Sequence, residues 1–81
     1  MSDQTYNLGI QPIDGIMSAS GLSNHALVEA SQDMLTFKAV QRARKGRRLT
    51  RRMQEKVLRA LNRAAHEKTY QREELFNYDG V

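Results

Sequence analysis

A helix start is written three times into this chain. Ser23 and Thr36 each stand between a leucine and an aliphatic residue four positions on, Leu22 with Leu27 and Leu35 with Val40. A hydroxyl that accepts from the first free amides, flanked by two apolar side chains that close over it, is an N-cap with a hydrophobic staple. Thr50 opens a third helix ahead of the apolar stripe Met53, Val57, Ala60, Leu61 and Ala64, widened by Leu58 and Ala65. Gly21 and Gly46 fall where preceding helices need a left-handed residue to stop. Starts and stops this close together permit only short helices, and the expected fold is all-α: a small domain of four to five helices.

The reading along the chain follows from those signals. Residues 1–12 are an expected flexible arm, with Tyr6, Leu8 and Ile10 alternating up to Pro12. A weak helix is expected over Ile13–Ala19 with Ile13, Ile16 and Met17 inward, and a second from the Ser23 cap to Ala30. The second would bury Leu27 and Ala30 and leave Asn24, His25 and Glu29 nearer solvent. Ser31-Gln32-Asp33 is a turn, the third helix runs from the Thr36 cap to Gly46, and the fourth from Arg51 to about Tyr70. The domain proper is thus 13–70. Residues 71–81 hold Leu75, Phe76 and Tyr78 among acids, and read as a tail, an apolar hook that folds back, or a dimerisation segment.

With 81 residues, 40% of them hydrophobic, one small core is all that can be built. There is no cysteine, and the two histidines, His25 and His66, stand 41 positions apart, so neither a disulfide framework nor a metal site is expected, and no cofactor. No apolar run reaches the roughly 18–20 residues of a membrane span. No basic residue precedes Lys38, which argues against a secretion or transit signal, and a cytoplasmic protein is expected. Catalysis is not expected either. His25 and Glu29 are one turn apart on an exposed face, the geometry of a surface contact, and Gly46 stands alone where a phosphate loop needs several glycines.

Charge is more informative. The net +4 hides a block, residues 38–63, in which eleven basic residues face Glu55 alone, for a local charge of +10. Residues 1–37 hold only acids, Asp3, Asp14, Glu29 and Asp33. Like charges one turn apart repel, so a helical surface of one sign is costly and is tolerated mainly where the partner is a polyanion. Most of the block is arginine, whose planar fork matches phosphates and guanine edges.

At 100° per residue, Ala39, Val40 and Ala43 of the third helix share one arc, and Phe37, Gln41, Lys45, Lys38 and Arg42 occupy the other in that angular order. Such a face carries what base edges and phosphates need: a fork for guanine, an amide for adenine and an apolar surface for the thymine methyl. Arg44, Lys45, Arg47, Arg48, Arg51 and Arg52 extend it along the chain.

The run Gly21-Leu22-Ser23-Asn24-His25-Ala26-Leu27, followed by Thr36-Phe37-Lys38-Ala39-Val40 and Arg44-Lys45-Gly46-Arg47-Arg48, resembles the Cro/Xre-type, lambda-repressor-like helix-turn-helix. Thr36, Val40 and Gly46 reproduce that family's four-and-ten spacing, and Leu58-Arg59-Ala60-Leu61 is similar to the end of its fourth helix. The similarity covers about residues 13–62. The chain departs from the pattern in the nine positions from Leu27 to Thr36, longer than is usual, and in lacking a glycine at Ser31–Asp33. The resemblance implies a helix-turn-helix centred on 23–46 that lays its second helix in the major groove of duplex DNA. Phe37, Lys38 and Arg42 would then read bases with Gln41 beside them, and Asn24 would contact a phosphate. Lys45, Arg47 and Arg48 would hold the backbone after the recognition helix. Phe37 has a second reading, packing on Met34 or Leu35.

The expected function is sequence-specific DNA binding in the regulation of transcription in a bacterium or phage. The alternatives are a basic protein that grips structured RNA or the ribosome, or an antitoxin-like adaptor whose C-terminal segment binds a protein. A basic fourth helix lying on a membrane is disfavoured, because its shallow apolar side is needed for the core. A homodimer is expected, since one module reads few bases. Its surface would be the C-terminal segment with Tyr70, Leu75, Phe76 and Tyr78, or the arm with Tyr6, Leu8 and Ile10. On that reading residues 71–81 are dispensable for folding.

Overall fold

The computed structural model describes residues 8–66 and 68–80, and over these the chain is all-helical. Five helices follow in order: α1 (Pro12–Ser20), α2 (Asn24–Ala30), α3 (Phe37–Lys45), α4 (Arg51–Ala64) and α5 (Arg72–Leu75). Among the described residues no helix is long and apolar enough to cross a membrane.

All three expected caps are formed. The Ser23, Thr36 and Thr50 hydroxyls accept from the Ala26, Ala39 and Met53 amides, each at 3.1 Å. Pro12 opens α1, where its missing N–H costs nothing. Gly21 and Gly46 close α1 and α3 at φ 71° and 90°. Gly46 is required twice over, because any side chain there would also run into the Gly9 carbonyl. That approach comes from the segment before α1. The Leu8 amide donates to the Gly46 carbonyl and the Gln11 amide to that of Arg44, capping the end of α3. The expected arm over 1–12 is therefore anchored from Leu8 onward, and residues 1–7 of it, Tyr6 included, lie outside the described residues.

The turn from α2 to α3 does without glycine. Ser31 Oγ accepts from the amides of Asp33 (3.0 Å) and Leu35 (3.2 Å), and Met34 takes the left-handed conformation, φ 58°. Its side chain points to solvent, 92% exposed. The core beneath joins Ile13, Met17, Leu27, Leu35, Val40, Val57 and Leu61, with α3 contributing Ala39 and Ala43. Ala30 is only half-buried, against expectation, and Val28 packs on the core in its stead. α1 packs on α3 and α5, α2 on α3 and α4, and α4 on α3 and α5.

The C-terminal third corrects the sequence reading. α4 stops at Ala64, well short of Tyr70, because the Asn62 side chain captures the returning chain: it accepts from the Tyr70 amide at 2.7 Å and donates to the Tyr70 carbonyl at 3.1 Å. The chain then folds back as α5, whose start is held by Glu74 accepting from the Gln71 amide at 2.8 Å and from Lys68 at 3.0 Å. Leu75 and Phe76 enter the core at 0% and 3% exposure. They are therefore not free to form a dimer surface or a docking tail, and of the three readings of 71–81 the hook is the one observed.

The hook is fastened by polar contacts as well. Asn77 donates from its amide to Gln11 Oε1 (2.8 Å), and Gln54 Nε2 donates to the Tyr78 carbonyl (3.3 Å). Gln11 and Gln54 are both fully buried. Their remaining atoms are engaged too: Gln11 Nε2 donates to the Gly9 carbonyl and Gln54 Oε1 accepts from Arg72. A buried amide left unpaired would cost about 1–3 kcal/mol, so these contacts fix the path of the hook.

Removing the hook should therefore unfold the chain. Phe76→Ala is expected to cost about 3–5 kcal/mol, a large part of the roughly 5–15 kcal/mol that holds a domain together. Deleting 71–81 is expected to abolish the cooperative thermal transition seen by circular dichroism. A truncated chain that melts like the full one would contradict this packing.

Candidate nucleic-acid interface

The outward face of α3 follows from what the helix must bury. With Ala39, Val40 and Ala43 turned to the core, Phe37, Lys38, Gln41, Arg42 and Lys45 are all left exposed. Four of these, Lys38, Gln41, Arg42 and Lys45, join Arg47 around a shallow open depression of about 240 Å³ with no acid in its lining. The small residues on the inner face bring the helix close to its neighbours, and the Thr36 cap and Gly46 set its two ends.

The basic loop after α3 is held from behind. The Arg47 amide donates to the Arg42 carbonyl at 3.0 Å. Tyr78 donates its hydroxyl to the Arg47 carbonyl (3.2 Å) and accepts from the Leu49 amide (3.0 Å), while Leu49 is buried beneath. Arg47 and Arg48 are thereby presented outward on a pinned backbone. Arg51 and Arg52 stand exposed in the first turn of α4, which holds no acid, so two guanidiniums add to the positive end of the helix dipole.

Two expected site residues are placed differently. Arg44 does not join the outer face. Its Nε donates to Asp14 Oδ1 at 2.7 Å, one terminal nitrogen to Asn24 Oδ1 at 2.7 Å and the other to Ser18 Oγ at 3.3 Å. The side chain is 19% exposed and ties α1, α2 and α3 together. At 100° per residue it falls between the buried Val40 and the exposed Phe37, so the helical wheel alone does not tell which way it turns. Asn24 is half-buried, and its carbonyl oxygen is taken by Arg44, which leaves only its amide nitrogen for a phosphate.

Phe37 finds its ring partner in the preceding helix. It meets His25, with centroids 5.1 Å apart and planes tilted by 51°, and remains 44% exposed. His25 thus braces an aromatic at the leading edge of α3, a role the sequence did not reveal.

A further feature lies on α4. Arg59 Nε donates to Asp33 Oδ2 in the α2–α3 turn at 2.9 Å. That hydrogen bond, with the charges of Arg59, Lys56 and Arg63, holds the Asp33 carboxyl below its ordinary range, and the same bond raises the Arg59 guanidinium. The pairing is in place above the ordinary carboxylate range and is lost as pH falls through the lowered value.

Comparison with protein-family models, with curated proteins and with solved structures gives no match.

The placement of Arg44 makes it a stability residue. Arg44→Ala is expected to cost about 1–2 kcal/mol through the lost charged hydrogen bonds, part-exposed as they are, and to lower the melting temperature by about 4–8 °C per kcal/mol. Arg42→Ala is expected to change stability by no more than about 0.5 kcal/mol. Thermal melts check both, and equal melting of the Arg44 variant and the unchanged chain would contradict the clamp.

Proposed function

We propose that this chain binds duplex DNA by laying α3 in the major groove, and that it regulates transcription by occupying its site. The observation that carries the reading is the acid-free depression of Lys38, Gln41, Arg42, Lys45 and Arg47 on the exposed side of a helix packed through alanine and valine. With its side chains a helix is about 10–12 Å across, which fits a groove about 12 Å wide, and the nine residues of α3 lay about 13 Å of it along that groove.

Each residue then has a role that its chemistry supports. Arg42 presents a fork to guanine O6 and N7, Gln41 an amide to adenine N6 and N7, and Phe37 an apolar surface to a thymine methyl. Lys38 sits between base edge and phosphate. Lys45, Arg47, Arg48, Arg51 and Arg52 neutralise phosphates on either side, which fixes register without reading sequence. One module buries only about 600–1,000 Å² on DNA. Two copies on half-sites about 34 Å apart would double its contacts, and with Leu75 and Phe76 in the core such a pair must meet elsewhere than at the hook.

The test is the salt dependence of binding. With five to eight phosphates neutralised, log K against log salt is expected to fall with a slope of about −4 to −7. A slope shallower than about −2 on duplex DNA, or a clear preference for structured RNA in competition at matched salt, would contradict the reading.

Base and backbone contacts separate by mutation. Arg42→Ala is expected to cost about 1–3 kcal/mol at a preferred site and to flatten sequence preference there. Arg48→Ala is expected to weaken preferred and random duplexes equally. An unchanged preference in the Arg42 variant would show that α3 is not the reader.

A further inference from the structure

The four cations Arg52, Lys56, Arg59 and Arg63 are spaced along α4 so that they fall within an arc of about 60° and span about 16 Å of its length. They lie away from the buried Gln54, Val57 and Leu61, with buried Ala60 at the border beside Lys56. Arg52, Arg59 and Arg63 are exposed and Lys56 is half-buried, while Glu55 flanks the row as the only acid on α4. Like charges placed a turn apart repel, so the row favours the approach of an anion.

One anion is already there, and it belongs to the protein. The Asp33 carboxylate takes a hydrogen bond from Arg59 Nε at 2.9 Å, and Lys56 and Arg63 also act on it. The turn that carries Asp33 does not need this contact to keep its shape. Ser31 Oγ holds the amides of Asp33 and Leu35, and Met34 supplies the left-handed step. The carboxylate can therefore leave Arg59 while the backbone stays in place.

We propose that this row is a second phosphate-binding strip for the duplex backbone, and that Asp33 is a built-in competitor which occupies Arg59 until a phosphodiester displaces it. The inference rests on the duplex-binding reading and extends it from Arg52, already placed at the backbone there, to Lys56, Arg59 and Arg63, which lie outside the α3 depression. The exchange is one anion for another at the same guanidinium. The displaced carboxylate turns to solvent and the incoming phosphodiester releases a condensed counterion. The competitor weakens every duplex to the same extent, so it lowers non-specific binding without touching the base-reading face.

The test is fluorescence anisotropy of the full chain on a random-sequence duplex near 0.1 M salt, with Asp33→Asn, Arg59→Gln, the double variant, and Glu29→Gln as a control that removes equal charge from exposed α2. Asp33→Asn is expected to bind about fivefold tighter at an unchanged slope, because the phosphate contact forms in both chains and only the competition of an exposed ion pair is removed. Arg59→Gln, by contrast, is expected to make the slope shallower by about 0.9, the signature of one lost phosphate contact. Glu29→Gln is expected to gain less than about twofold, since an exposed carboxylate that holds no cation among the described residues acts only as a screened charge. In the Arg59→Gln background the Asp33→Asn gain is expected to vanish. A gain no larger than the control's, or one that survives without Arg59, would overturn the inference while the slope of the unchanged chain stays steep. An unchanged chain whose own slope is shallower than about −2 would instead overturn the duplex reading, and this inference with it.

Discussion

The return of residues 70–80 over α1 and α4 is the contact on which the basic surface depends. Asn62 turns the chain by pairing with both polar groups of the Tyr70 backbone, and Leu75 and Phe76 then fill the core that α1 and α4 leave open. The same segment reaches the other half of the molecule. Asn77 meets Gln11, which leads into α1, and Tyr78 holds the backbone at Arg47 and Leu49. In an 81-residue chain there is little apolar surface to spare. Packing the hook therefore stabilises the domain and, through one tyrosine hydroxyl, sets where two arginines are displayed.

Charge is arranged on that frame with economy. Of the eleven basic residues between 38 and 63, only Arg44 and Arg59 form an ion pair among the described residues, with Asp14 and Asp33 respectively. The two pairs differ in kind. Arg44 is largely enclosed and has three partners on α1 and α2, so it belongs to the architecture. Arg59 is half-exposed, with 53% of its side chain accessible and Asp33 as its hydrogen-bonded carboxylate, while Glu55 one turn away acts on it only through charge. Such an arrangement contributes little to stability and is easily exchanged. The remaining cations repel one another, a cost that the proposed polyanionic partner would offset.

What the sequence reveals and what it hides follow from range. The caps at Ser23, Thr36 and Thr50 and the stop at Gly46 are legible because each is decided within four residues, and α3's two faces are legible because 100° per residue sorts them. The end of α4 is not legible, since it depends on Asn62 meeting Tyr70 after an intervening reversal that neither glycine nor proline marks. Arg44 reads as one more member of a basic run until Asp14, 30 positions earlier, is seen beside it. The α2–α3 turn lacks the expected glycine because Met34 accepts a left-handed backbone, at a strain of roughly 1–2 kcal/mol for a residue with a Cβ. Phe37 lies on the outer arc of α3, as 100° per residue predicts, but its ring partner, His25, comes from the preceding helix and has no mark in the local pattern.

The claim at the centre of this account is that the outer face of α3 meets the nucleic acid. It is tested most directly by following side-chain NMR resonances of the full protein as a short duplex is added. The account predicts that the Gln41 carboxamide and Arg42 guanidinium signals shift first and furthest, together with those of Lys38, Lys45 and Arg47 around the same depression, while the Arg44 guanidinium in its clamp stays in place. Shifts confined to α1 or α5, with Gln41 and Arg42 unmoved at saturation, would contradict it.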